Sequence, residues 1–208
     1  MALSRGARAS AFARDDGDEG GAVRSTVVGE AGPEVARLVG SAVHRALERL
    51  DLFAPDAEQE LVRLEADALA ELAARAAPGD LPAATARLRD LIARFGRGAL
   101  FARLQALREH VVARELPVLL PPQPGDGAQG FVAGSIDLVL RDPASDELVV
   151  VDYKTDAAEP DAPEPGRSED YTRQGSVYRR ALAEALGLAT LPRFEFWWIA
   201  ADRAEPIA

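Results

Sequence analysis

Gly134-Ser135-Ile136-Asp137-Leu138-Val139-Leu140, joined through Arg141–Glu147 to Leu148-Val149-Val150-Val151-Asp152-Tyr153-Lys154-Thr155, is the stretch that decides the fold. Two apolar, β-branched runs flank a segment holding Asp142, Pro143, Ser145 and Asp146, which are turn formers, so the pattern predicts an antiparallel hairpin. With the turn centred between Ala144 and Ser145, Asp137 faces Asp152, their Cα atoms about 4.5–5.5 Å apart and both carboxylates on one face. Lys154, two residues beyond Asp152, points to that face as well, because the strand period is two. Like charges directly opposite each other destabilise a sheet, so the acid pair needs a positive partner. Two readings are open: Lys154 alone neutralises the pair, or a divalent cation does and Lys154 has another task.

Composition bears on that choice. The chain holds 24 Lys plus Arg, and lysine occurs only at position 154. A chain that uses arginine for every other cation has kept a compact ammonium here, where a planar guanidinium fork would not substitute.

Gly-x-x-Asp followed by Asp-x-Lys on the next strand resembles the PD-(D/E)XK nuclease superfamily. Ile136-Asp137-Leu138-Val139 with Val151-Asp152-Tyr153-Lys154-Thr155 is similar to its RecB-type branch, which includes nuclease domains of UvrD-like repair helicases such as AddA and RecB. Two flanking matches extend the likeness. Gly40-x-x-x-His44-x-x-Leu47-Glu48 is similar to the helix that precedes the core in that branch, whose histidine completes a metal site. Gln174-x-x-x-Tyr178 is similar to the motif that follows its Asp-x-Lys strand.

The resemblance implies an α/β, restriction-endonuclease-like core of order αβββαβ, a mixed sheet flanked by helices, over about Gly32 to Ala200. It implies metal-dependent, exonuclease-type hydrolysis of DNA phosphodiesters in double-strand-break repair or recombination, with a UvrD/AddA-like helicase partner. Asp137, Asp152 and Lys154 would be catalytic. Mg²⁺ or Mn²⁺ would be held by His44, Asp137, Asp152 and the Tyr153 carbonyl. Glu115 would be a further acid facing the site, with Gln174 and Tyr178 positioning it or touching the DNA backbone. Two other classes stay open: a catalytically silent nuclease-like module that binds DNA or a helicase, and a structural α/β module whose hairpin acids are neutralised by Lys154.

The remaining chain fits one domain with a leader. Residues 1–30 mix Gly, Ser, Ala and Arg with an acidic cluster at Asp15–Glu19 and no periodicity, which predicts a flexible leader or linker before a nuclease domain over 31–208. Pro33 opens a helix to about Asp51 whose Val35, Leu38, Val39, Ala42, Val43, Ala46, Leu47 and Leu50 form one apolar stripe. Amphipathic helices follow at about 57–77, 82–95 and 98–112, broken at Pro78-Gly79 and Gly96-Arg97-Gly98, as a helical insertion. His110 reads as a boundary residue. Val111–Leu120 predicts a strand, with Pro117 marking an edge or strand end. Pro121–Gly127 and the acidic Asp156–Asp170 read as loops. Ser168 is placed to cap a helix that Gly187 ends, and Arg193–Ala200 predicts a last, aromatic strand.

Charge and composition exclude other classes. Net charge is −10, so bulk electrostatics would not hold the chain on DNA, although Arg75–Arg114 carries a local excess of cations suited to a phosphate backbone. There is no cysteine for a disulfide, thiolate zinc site or iron–sulfur cluster. No transmembrane-length run or secretory h-region occurs, so a cytoplasmic protein is expected. Because the only lysine is Lys154, a phosphate-binding Gly-Lys-Ser/Thr loop is absent, and the chain does not bind ATP in that way.

Overall fold

The computed structural model describes residues 32–120, 132–156 and 167–207. The expected leader, the Pro121–Gly127 loop and most of the Asp156–Asp170 loop lie outside these residues. The order is α1 (Pro33–Arg49), α2 (Ala57–Ala73), α3 (Leu81–Arg97), α4 (Ala99–Ala106), β1 (Val111–Leu120), β2 (Val132–Arg141), β3 (Leu148–Lys154), α5 (Arg167–Leu186), β4 (Arg193–Trp198) and β5 (Arg203–Ile207). The five strands form one sheet in chain order. It is mixed: β3 and β4 run parallel and every other neighbouring pair is antiparallel. A parallel pair needs a crossover, and α5 supplies it.

Each sheet face carries its own core. On one side α1–α4 pack on Leu138, Leu140, Val149, Val151, Tyr153 and Trp197. On the other, α5 brings Leu182 against Ile136, Val139, Val150, Phe194, Phe196 and Trp198. The stripe expected on α1 is buried as Val35, Val39, Ala42, Val43, Ala46 and Leu47. The helices expected as an insertion share that same core through Leu64, Leu72, Leu88, Phe95 and Leu104.

Boundaries differ at three places. Gly96 lies inside α3 and breaks nothing; a Cβ there would stand 2.5 Å from Leu61 Cδ1, so glycine allows α2 to approach. α5 begins at Arg167, which puts Ser168 inside the helix and not at its cap. The strand β5 escapes sequence reading because Arg-Ala-Glu-Pro-Ile has neither alternation nor β-branched density. It forms because β4 offers a free edge, and Trp198 Nε1 donates to Glu205 at 2.8 Å. The turn before it sends Asp202 to accept from Ala99 N (2.6 Å) and Leu100 N (3.0 Å), capping α4 where Gly98 has no side chain to do so.

Most arginines of the arginine-rich segment have partners within the protein, although Arg89, Arg94 and Arg108 stay exposed. Arg89 pairs with Glu65, Arg94 with Asp90 and Arg103 with Glu195, while Arg114 donates to Leu47 O and Leu50 O at the end of α1. Arg87 donates to Thr155 O and Arg108 lies over the Phe53 ring. Arg87, Arg103 and Arg114, which are half-buried, are thereby tied to the protein, while the pairs of Arg89 and Arg94 lie at the surface.

Arg103 makes the most consequential of these pairs. It donates to both Glu195 oxygens (2.6 and 3.1 Å), and Trp197 Nε1 adds a third bond at 3.0 Å. Burial pushes the Glu195 carboxyl up, and the Arg103 and Trp197 bonds outweigh it, leaving the group below its ordinary 4.5. A depressed carboxylate contributes stability above its unfolded value that is lost as pH falls through the folded one. Arg103→Ala removes the nearer of two guanidiniums and leaves Glu195 with Trp197 Nε1 and with Arg193 at 3.5 Å, so it is expected to cost about 2 kcal/mol at neutral pH. That cost should shrink as pH falls towards and below 4.5, where Glu195 protonates. Denaturant titrations of both proteins across that range check it; a constant cost refutes the assignment.

Candidate metal centre and active site

The hairpin register is the expected one, with Leu138↔Val151, Val139↔Val150, Leu140↔Val149 and Arg141↔Leu148. The ladder stops one pair short of the two aspartates. In place of a ladder bond, Asp137 Oδ2 accepts from Tyr153 N at 2.6 Å. The carboxylates expected on one face therefore take different partners.

The reason is a bend shared by β1 and β2. Arg114↔Leu138 and Leu116↔Ile136 bracket Glu115 and Asp137, which stand opposite each other. Ile136 and Leu138, two apart, should share a face, yet they lie in opposite cores. On β1, Ala113 and Leu116 both pack on the α5 side although they are three apart. Each strand thus spends one residue turning over, and because both do so at the same level their register survives. Glu115 carries the strain, with φ of +46°. For a residue with a Cβ this left-handed conformation costs about 1–2 kcal/mol.

At the bend three donors from three elements meet. His44 Nδ1 lies 3.1 Å from Asp137 Oδ1, and single ligand atoms of His44, Glu115 and Asp137 all fall within 4.8 Å of one another. Gly40 makes this possible one turn earlier on α1: a Cβ there would be 3.1 Å from Thr155 Oγ1, so its absence lets α1 settle against the end of β3. Ser135 Oγ donates to Glu115 Oε2 at 3.0 Å and aims that carboxylate. Burial and the Asp137 charge both raise the Glu115 pKa. Burial lowers that of His44, but the Asp137 bond and the charges of Asp137, Asp152 and Glu115 leave it raised.

Asp152 stands outside that trio, in a second network on the α5 side. Lys154 Nζ is 2.6 Å from Asp152 Oδ2, Gln174 Nε2 donates to Asp152 Oδ1 (3.0 Å), and Lys154 Nζ donates to Gln174 Oε1 (3.0 Å). Gln174 Nε2 also donates to the Tyr178 oxygen at 3.2 Å. Tyr178 lies on Gly134, where a Cβ would stand 3.2 Å from its ring and hydroxyl, which explains the glycine of Gly-x-x-Asp. Burial pushes the Tyr178 phenol up to about 12, so it stays protonated. Burial also pushes Asp152 up, against the pull of Lys154 and with help from Asp137. Tyr153 enters the site through its backbone N–H, while its ring is buried against His44 and Trp197.

This donor set fits a hard divalent cation. Two atoms with acceptor lone pairs 3.1 Å apart, His44 Nδ1 and Asp137 Oδ1, need a proton or a cation between them. Neighbouring ligands of an octahedral ion at about 2.1 Å are themselves about 3.0 Å apart. Asp152 Oδ2 is buried with Lys154 Nζ at 2.6 Å, and a carboxylate oxygen that meets one cation keeps a second lone pair for another. One nitrogen among carboxylate oxygens suits Mg²⁺ or Mn²⁺. The residues expected at the site from their types fall into two neighbouring networks, His44, Glu115 and Asp137 in one and Asp152, Lys154, Gln174 and Tyr178 in the other. What sequence reading gave no role is Ser135 and the aromatic rings around Lys154; the alternation Phe194-x-Phe196-x-Trp198 was the available signal for those rings.

Comparison with known proteins agrees with the fold. The model of the PD-(D/E)XK nuclease superfamily matches residues 21–204. Among curated proteins none matches the sequence. A crystal structure of a candidate exonuclease from Eubacterium rectale is similar at 16% identity and a TM-score of 0.48, over 86% of this chain and 61% of that one. This chain therefore spans about three fifths of that protein's length. With the family model covering most of its length and the mixed sheet bearing the acid, acid and lysine set, the chain belongs to the PD-(D/E)XK nuclease superfamily.

Proposed function

We propose that this protein is a divalent-metal-dependent deoxyribonuclease of the RecB type. The observation that carries the reading is the convergence of His44, Glu115 and Asp137 beside the Asp152–Lys154 pair. His44, Glu115 and Asp137, with Asp152 and the Tyr153 carbonyl alongside, would hold Mg²⁺ or Mn²⁺. Such an ion polarises the scissile phosphate and lowers the pKa of a bound water. The protein's own groups do the rest. Lys154 orients the attacking water and offsets negative charge that develops on the phosphate. Gln174 accepts from Lys154 and donates to Asp152, which fixes the ammonium relative to the carboxylate. Tyr178, a neutral phenol over Gly134, borders the same network and is placed to donate to a phosphate oxygen.

The wider role rests on the likeness to the RecB-type branch: a UvrD/AddA-like helicase would supply unwinding, in double-strand-break repair or recombination, while this sequence, with Lys154 as its only lysine, has no Gly-Lys-Ser/Thr loop for ATP. Exonucleolytic action on DNA completes the proposal. Its direct test is cleavage of linear and circular, single- and double-stranded DNA with Mg²⁺, Mn²⁺ or EDTA. Metal-dependent loss of linear DNA that disappears in Asp137→Ala and Asp152→Ala is expected. Specific Mn²⁺ binding with no cleavage of any substrate would favour a silent DNA- or helicase-binding module.

Two variants probe the roles separately. Glu115→Gly relieves the left-handed strain and removes a like charge facing Asp137, so it should melt no lower than wild type. Its Mn²⁺ affinity should nevertheless fall by at least about tenfold, the lower bound for losing even an outer-sphere partner. Calorimetry beside a thermal melt decides this. Lys154→Arg keeps the charge but brings a fork that chelates carboxylates, so it should fold normally, bind metal worse and lose about 10²-fold or more in single-turnover rate. A variant that cuts like wild type would reduce Lys154 to a counter-ion.

A further inference from the structure

Lys154 does not project into an open polar cleft. Its Nζ lies 4.6 Å from the Tyr171 ring centroid and 5.2 Å from that of Phe196, and only 14% of its side chain is exposed. The rings pack on each other, Tyr171 on Phe196 at 5.2 Å and both on Trp198 at 5.9 Å. The topology explains how they get there. In the parallel β3–β4 ladder Asp152 is the partner of Phe196 and Lys154 of Trp198, so the aromatic positions of β4 share the face that carries the acid and the lysine. Tyr171, Gln174 and Tyr178 follow one another at helical spacing on α5, so one stripe of that helix delivers a ring, an amide and a phenol to the site.

We propose that Tyr171 and Phe196 are positioning residues that hold the Lys154 ammonium in its working place; this rests on the nuclease reading of Lys154. An ammonium has three N–H donors and no acceptor. One bonds Gln174, a second is directed at Asp152, and the third remains for the reacting water or phosphate. Neighbouring oxygens could fix the side chain only by taking that third donor or by adding charge beside Asp152. Aromatic faces attract the cation through their quadrupole and leave its donors free. The walls also fit a compact ammonium, which gives a physical reason for the one lysine in an arginine-rich chain. Tyr171 is itself tethered by its hydroxyl, which donates to Asp156 Oδ2 at 3.5 Å, two residues beyond Lys154.

A single lysine makes the test direct. In protein labelled with ¹³C-lysine, one ε-methylene correlation reports Lys154 alone, and ring currents from two faces should shift it upfield of free lysine. Tyr171→Leu should move the resonance towards the free-lysine position and lower single-turnover cleavage about tenfold, the scale of one desolvated cation–π contact. Tyr171→Phe, which keeps the ring and drops the tether, should retain the resonance and most of the rate. Phe196→Leu, checked by a thermal melt because Phe196 is buried, should repeat the Tyr171→Leu result. A resonance unmoved by Tyr171→Leu overturns the proposal, as does one that moves with no change in rate. The resonance reads the cage without substrate or metal, so a wild-type protein that shows the shift and cuts nothing counts against the nuclease reading alone.

Discussion

Two carboxylates, Glu115 and Asp137, meet at one bend of the sheet with a third, Asp152, on the neighbouring strand β3, and the surrounding structure is arranged around their repulsion. Asp137 and Asp152 are both buried, where like charges cannot be left unanswered. Each acid receives its own partners. Ser135 steadies Glu115, His44 and the Tyr153 N–H take Asp137, and Lys154 with Gln174 takes Asp152. These partners come from α1, β2, β3 and α5, so assembling the site requires both faces of the sheet to be covered. His44 Nδ1 and Asp137 Oδ1 lie 3.1 Å apart and so need a proton or a cation between them.

The rest of the fold serves that geometry. The helices α2–α4 share one core with α1, and Asp202 ties α4 to the far edge of the sheet. Their packing keeps α1 on β3, and the missing Cβ at Gly40 sets how closely. On the opposite face the parallel β3–β4 pair puts an aromatic strand beside the acidic one. The end of β3 that carries Asp152 and Lys154 thus gains an apolar neighbour, which excludes water from around Lys154 and strengthens each of its contacts. Net charge is −10, so bulk charge opposes contact with a polyanion, and Arg103 is held in a half-buried pair with Glu195.

What the sequence determined by itself is whatever depends on short-range periodicity. Apolar, β-branched runs on either side of Asp142–Asp146 specify the hairpin and its register, and the i, i+3, i+4 stripe of α1 puts His44 at the border of a buried face. Side-chain chemistry also marks the candidate residues, since only a few types can hold a metal or stabilise a phosphate. Gly96 and Ser168 were misread because a glycine inside a packed helix and a capping serine at a boundary look alike without neighbours. The strand β5 carries no periodic signal, because an edge strand containing Pro206 draws its order from the partner strand. Tertiary structure alone decided which partner each acid takes. That choice depends on a bend at which two strands turn over together, and on φ of +46° at Glu115, a conformation its residue type does not favour. Only contacts spanning the sheet can impose such a conformation, so the convergence of His44, Glu115 and Asp137 arises from packing and cannot be read from local sequence.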